Sequence, residues 1–302
     1  MVTEARAFQT LLGIRFWDAA ADRMVVEGLR VFGQLLHPDG NRRVGRRVLA
    51  RLSRGGVYAF FDLHPIAEER VALDDMLWEH APTGRSAVVD VEDPLRRYLP
   101  LSFAVPSPVR GAFTGAGGWP GVASPAAPAG GSGVRLWPAA SYARPPGQAA
   151  IYAQLVVGNA KDPPPAAYAV VQVLRPKGNG SSLEPHGYGI ADDQGRLMLP
   201  LPYPIPRDTG TPGVYPALGS QTFDLTVRVF FKAGPLPHLP GSVAPDLKAI
   251  LEQKPSKIAF KRDGTMTLKQ QLPVTLAFET PLVLRTNTAD PARPEPFLRI
   301  QP

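Results

Sequence analysis

The chain contains no cysteine. Disulfides, thiolate metal sites and cysteine nucleophiles are therefore excluded. No stretch approaches 18 consecutive uncharged apolar residues, so no helix is expected to span a membrane. Lysine is scarce as well: it supplies 8 of the 33 basic residues, and none precedes Lys161. The N-terminal half is basic through arginine alone. Such a skew reflects either genome composition or arginine at a protein or nucleic-acid interface. The start, Met-Val-Thr-Glu-Ala-Arg, carries an early acid and no apolar core, so no secretory leader is expected. A cytoplasmic location follows as the default.

Catalytic patterns are missing too. The 5 histidines, His37, His64, His80, His186 and His238, are not spaced as metal pairs, and His-Glu-x-x-His does not occur. There is no Gly-x-Ser-x-Gly elbow. Gly115-Ala-Gly-Gly-Trp-Pro-Gly121 lacks the lysine and the following helix of a P-loop. Asp74-Asp75 and Asp192-Asp193 are adjacent acids, which on a strand point to opposite faces and make no dyad. Asp192-Asp-Gln-Gly195 fits a β-turn, with glycine supplying positive φ. No cofactor or metal is expected, and the chain does not read as an enzyme.

Pro and Gly are abundant, at 35 and 29 of 302 residues. That favours many short strands joined by turns. The clearest strand is Phe223–Phe231, where Phe223, Leu225, Val227, Val229 and Phe231 recur at every second position. Val48–Leu52 and Val57–Phe61 flank Ser53-Arg-Gly-Gly56, a hairpin signal, and Arg262-Asp-Gly264 is a second. Further strands are expected at Ile14–Asp18, Leu29–Phe32, Ala87–Val91, Leu99–Val105, Ala149–Val157, Tyr168–Leu174, Tyr188–Ile190, Leu197–Leu201, Val274–Phe278 and Leu282–Leu284. Asp74–His80 suits a helical turn. Asp246–Gln253 suits a short helix with Pro245 at its first position.

The spacing divides the chain into a first unit at 1–108, a Gly/Pro-rich segment at 109–134, a second unit at 135–285 and a Pro-rich tail at 286–302. The segment 109–134 holds eight glycines and three prolines, and as a free coil it would span about 28 Å. Phe113 and Trp119 within it argue for docking, and a neighbouring subunit is the expected surface. The tail is expected to be extended until Phe297–Ile300 docks. The expected fold is all-β: two β-sandwich domains, with one short helix in the second. Leu99-Pro-Leu-Ser-Phe-Ala-Val-Pro106 and Leu199-Pro-Leu-Pro-Tyr-Pro-Ile-Pro206 echo each other, as two copies of one unit would.

The one strong charge cluster is Arg42, Arg43, Arg46, Arg47, Arg51 and Arg54. No aromatic interleaving or helix-turn-helix pattern accompanies it, so a solvated face or a protein contact is expected over nucleic acid. Arg42, Arg43, Arg46, Arg47, Phe113 and Trp119 are the interface candidates. A different class of function, a module that binds carbohydrate or a cell surface, would use Trp17, Trp78, Trp119 and Trp137 as a stacking platform.

Phe16-Trp-Asp18, Glu27-Gly-Leu-Arg-Val31 and Gly56-Val-Tyr-Ala-Phe-Phe-Asp-Leu63 together resemble the carboxypeptidase regulatory-like (transthyretin-like) β-sandwich, with Phe61 as an insertion before Asp62. Ala169-Val-Val171, Asp192-Asp-Gln-Gly-Arg196 and Leu199–Pro204 are similar to the turn-then-strand half of such a domain. The arrangement also resembles accessory proteins encoded beside bacterial phage-tail-like contractile injection particles. That likeness rests on Glu92-Asp-Pro-Leu-Arg-Arg-Tyr-Leu-Pro100, the Pro/Gly-rich break, Leu199–Pro204, Pro245-Asp-Leu247 with Ile250-Leu251, and Leu282-Val-Leu-Arg-Thr286. It implies a non-catalytic cap, collar or baseplate adaptor, repeated in a symmetric ring. Its partners would be tail tube, sheath, cap or baseplate proteins.

Overall fold

The computed structural model describes residues 12–18, 20–61, 63, 86–107, 112–113, 133–177, 182–204, 218–262, 265–286 and 295–302. Among these the chain is mostly β-strand, with one short α-helix and a 3-10 turn at Leu218–Ser220. The expected turn at Asp74–His80 lies outside the described residues.

The strands are β1 (Leu12–Ile14), β2 (Phe16–Asp18), β3 (Arg23–Met24), β4 (Arg30–Leu36), β5 (Arg43–Leu49), β6 (Arg51–Leu52), β7 (Tyr58–Phe60), β8 (Ser86–Glu92), β9 (Leu101–Pro106), β10 (Ala112–Phe113) and β11 (Val134–Leu136). There follow β12 (Gln148–Val157), β13 (Val170–Lys177), β14 (Ser182–Ile190), β15 (Arg196–Pro202), β16 (Thr222–Phe230), α1 (Leu247–Leu251), β17 (Pro255–Arg262), β18 (Thr265–Lys269), β19 (Leu272–Ala277), β20 (Leu282–Leu284) and β21 (Leu298–Gln301).

The chain divides into two units. Unit 1 comprises residues up to Leu95, then Pro100–Leu136, then Leu236–Ala249. Unit 2 comprises Arg96–Leu99, Trp137–Pro235 and Ile250–Pro302. The stretch Leu236–Ala249 sits in the second half of the sequence but belongs to unit 1.

Unit 1 holds three small sheets, ordered β5-β4-β8-β9, β10-β1-β7-β6 and β11-β2-β3. The predicted strand Ile14–Asp18 is split at Arg15, where the chain changes sheets. β1 pairs with β7 and β10, whereas β2 pairs with β3 and β11. The backbone of Arg15 joins both, donating to Phe113 O at 3.2 Å and accepting from Val134 N at 2.6 Å. A second crossing occurs at Ala50. The expected strand Val48–Leu52 is divided: Val48 and Leu49 end β5, which begins in the basic run at Arg43, and the chain continues through Ala50 into β6, which pairs with β7 in the other sheet.

The central strand β8 carries the logic of the first sheet. Ala87, Val89 and Val91 point to one face, with Val31, Gly33 and Leu35 of β4 as cross-strand partners. On the opposite face, Val88 and Asp90 would meet water if the sheet were covered on one side only. They are instead buried, with Val88 fully so. The covering element over Asp90 is the Leu236–Ala249 strap, which reaches Asp90 through Ser242. Burial on both faces explains why Ala87-Val-Val-Asp-Val91 reads as an almost unbroken apolar run.

Unit 2 is a ten-stranded sheet along the path β14-β13-β16-β17-β21-β12-β15, with β18, β19 and β20 pairing β17, β16 and β12. Strand β16 follows the predicted alternation, burying Phe223, Leu225, Val227 and Val229. These residues share one core with Ile151, Leu155, Val171, Leu197, Leu199, Ile258, Leu272, Leu298 and Ile300. The ends of the path approach each other. A Cβ added at Gly189 of β14 would lie 2.8 Å from Leu197 Cδ1 of β15. The chain closes this approach with the turn Asp192–Gly195, where Gly195 adopts φ 75°. The tail docks as β21, parallel to β12 and antiparallel to β17.

The helix is shorter than expected. Asp246 caps it, accepting from Lys248 N at 3.1 Å, so the carboxylate, rather than Pro245, sets the first turn.

Candidate functional site

The densest polar constellation lies in unit 1. Arg43, on β5, is one tenth exposed, and so is Asp90 on β8. Arg43 Nη1 donates to Asp90 Oδ2 at 2.6 Å and Nη2 to Oδ1 at 3.1 Å, a bidentate fork. Nη2 also donates to Ser242 Oγ at 2.5 Å, and Nε to the carbonyl of Pro240. Asp90 Oδ1 further accepts from Ser102 Oγ at 2.8 Å and Ser242 Oγ at 2.7 Å. Burial pushes the Asp90 pKa up, but hydrogen bonds from Arg43, Ser242 and Ser102, and the charge of Arg43, outweigh it and hold the carboxyl below its ordinary value.

This arrangement locks the strap onto the sheet. All three guanidinium nitrogens and both carboxylate oxygens are engaged. A carboxylate held ionised by four donors is a poor proton acceptor, and the guanidinium has no free fork for a substrate anion. The knot suits structure, not acid–base chemistry.

The remaining arginines of the cluster face outward. Arg42, Arg46, Arg51 and Arg54 are exposed. Arg47 lies 3.8 Å above the Phe32 ring centroid and 3.4 Å from Glu92 Oε1. Of the six interface candidates, Arg42 and Arg46 are therefore available, Arg47 partly so, and Arg43 is turned inward. Phe113 is also turned inward. It is 9% exposed, paired with Ile14 across β10 and β1, and stacked on Phe103 at 6.2 Å. Trp119 lies outside the described residues.

The other sequence candidates resolve into local structure. Asp192 Oδ1 accepts from Gln194 N and Arg196 N, and Oδ2 from Arg196 Nε, which organises the β14–β15 turn. Asp18 is buried and accepts from Ala20 N and Ala21 N. His37 Nδ1 lies 3.0 Å from Asp39 Oδ1. His186 Nε2 meets the Pro202 carbonyl at 2.8 Å, and burial is the main cause of its lowered pKa. His238 Nδ1 is 3.4 Å from Ser242 O, while His64 and His80 lie outside the described residues. No group of three or more His, Asp or Glu able to hold a metal occurs among the described residues. Trp137 is buried and Trp17 partly so. Trp78 and Trp119 lie outside the described residues, so no aromatic platform is assembled among those described.

Sequence reasoning missed Asp90, Ser102 and Ser242. A signal for Asp90 was present: it is a lone acid inside a strand of apolar residues, a position that requires a buried cation or several donors. Nothing in the strap sequence identifies Ser242 as one of those donors.

No protein-family model matches the chain, and no curated protein does. Among solved structures, a 9R-lipoxygenase from Cyanothece PCC8801 aligns at 14% identity over 49% of this chain, with a TM-score of 0.21. The aligned part is 18% of that chain. Likeness at this level carries no argument about fold or activity.

Proposed function

We propose that this chain is a non-catalytic structural adaptor, built from two β-sandwich units, in a bacterial phage-tail-like contractile injection assembly. It acts as a cap, collar or baseplate-type component, present in several copies around a symmetric tail and assembled in the cytoplasm. The resemblance carried by Glu92–Pro100, Leu199–Pro204 and Leu282–Thr286 motivates the choice of assembly. The observation that carries the adaptor role is the spent state of the Arg43–Asp90 pair. The buried ionisable groups of unit 1 hold the fold, while the neighbouring arginines form a free surface.

Co-purification tests the reading. The tagged chain, expressed together with sheath, tube and baseplate proteins of a contractile tail, should be retained on them and migrate as a multimer with them. A chain that stays monomeric and is retained by none of them refutes the proposal.

A further inference from the structure

The stretch Arg43–Leu52 is unusual in its topology. Its β5 half is terminal in the sheet β5-β4-β8-β9, and its β6 half is terminal in β10-β1-β7-β6. One continuous ten-residue segment thus forms the edge of two sheets. Among the described residues, no other strand pairs on its outer side. Unpaired N–H and C=O groups along an edge are a template for another strand.

The side chains along this edge point to the kind of strand that fits. Arg46, Arg47 and Arg51 are exposed on it, and Arg54 follows in the turn. Such a row of like charges opposes pairing with a second copy, because antiparallel self-pairing would set arginines against arginines. Edge charges by themselves are explained by that protection alone. Protection does not explain the apolar residues between them. Leu49 is 54% exposed, Leu52 43% and Val26 46%. Val26 borders the same turn, within 3.0 Å of a Cβ placed on Gly56. Exposed arginines interspersed with exposed leucines on this edge match a partner strand that carries both acidic and apolar residues.

We infer that the Arg43–Leu52 edge is a docking site for an acidic, extended segment of a partner protein, which adds to the sheet as a further strand. The main-chain ladder would supply affinity, and the arginines would select for acid and set the encounter rate. The inference rests on the adaptor reading, whose contact surface it names.

The probe is a fluorescein-labelled nine-residue peptide alternating Glu and Val, with two controls: a Lys/Val peptide of the same pattern, and the Glu/Val peptide N-methylated at alternate residues. Binding to the full chain is read by anisotropy. The acidic peptide should bind, and raising the salt from about 0.05 to about 0.5 M should weaken it. The triple variant Arg46→Glu, Arg51→Glu, Arg54→Glu should weaken it by about tenfold or more. N-methylation keeps every charge but removes the ladder donors, and should abolish binding to the unaltered chain. Equal binding of the N-methylated or the lysine peptide overturns the inference, even if the triple variant fails to fold. The same triple variant in the tail-component pull-down separates the two proposals. Retention despite lost peptide binding overturns this edge as the contact and leaves the adaptor role standing. Loss of both supports the edge.

Discussion

Replacing Arg43 by Met isolates the contribution of the buried knot. Methionine keeps much of the aliphatic stem but removes the cation, and four donor contacts go with it: two to Asp90, one to Ser242 and one to the Pro240 carbonyl. Asp90 then remains a buried carboxylate supported by two hydroxyls, those of Ser102 and Ser242. Stranding one member of a buried pair costs about 3–5 kcal/mol, against a total domain stability of about 5–15 kcal/mol. Amide exchange in β8, followed by mass spectrometry in the full chain, should accelerate at least about 10²-fold. The pH dependence carries a sign of its own. In the native chain the Asp90 pKa is depressed below 3.8, so its stabilising effect is complete above that value and is lost as pH falls through the lower folded value. In the variant, burial acts with the cation gone and the pKa rises. Acidification through the raised value then relieves the strain instead of adding to it. The stability gap between variant and native chain should narrow from pH 7 towards pH 4.5. A penalty below about 1 kcal/mol, or a gap unchanged over that range, refutes the assignment of the knot as the lock on the strap.

Phe113→Ala should destabilise unit 1 by about 3–5 kcal/mol in urea titration, independently of protein concentration; an unchanged midpoint would return the ring to the role of an outward contact. Gly195→Ala places a Cβ against the Leu155 carbonyl at φ 75° and should cost more than about 1 kcal/mol by calorimetry; an unaltered transition temperature refutes the strain argument. The His186 ring should titrate by NMR below the ordinary imidazole value of 6.5, so stability should fall as acidification through that range protonates the unfolded chain preferentially. A midpoint at or above 6.5 contradicts its burial as the cause.

The parts of the fold legible in the sequence are those determined by near neighbours. Strand β16 is announced by its own alternation, because one face is core and the other is not. The β6–β7 hairpin is announced by Ser53-Arg-Gly-Gly56, since only glycine takes the φ of 72° at Gly56 without strain. The Asp192 turn is legible because its carboxylate bonds to amides two and four residues on. The strap is of another kind. Leu236–Ala249 carries three prolines and one glycine, which locally says only loop, and its partners Arg43 and Asp90 lie about two hundred and a hundred and fifty positions upstream. The exposed arginine cluster also conceals a division that composition cannot draw. Arg43 and Arg46 belong to the same basic run, yet one neutralises a buried carboxylate while the other faces water. The difference comes from the face of the sheet that each occupies and from what covers that face. Asp90 is where the sequence bore on the question: an acid in the middle of a doubly buried strand is intolerable alone, so a donor set had to come from elsewhere in the chain. Arg43 from β5 and Ser102 from β9, with Ser242 from the strap, keep Asp90 ionised, and the Arg43–Asp90 pair in turn holds the strap through Ser242 and the Pro240 carbonyl.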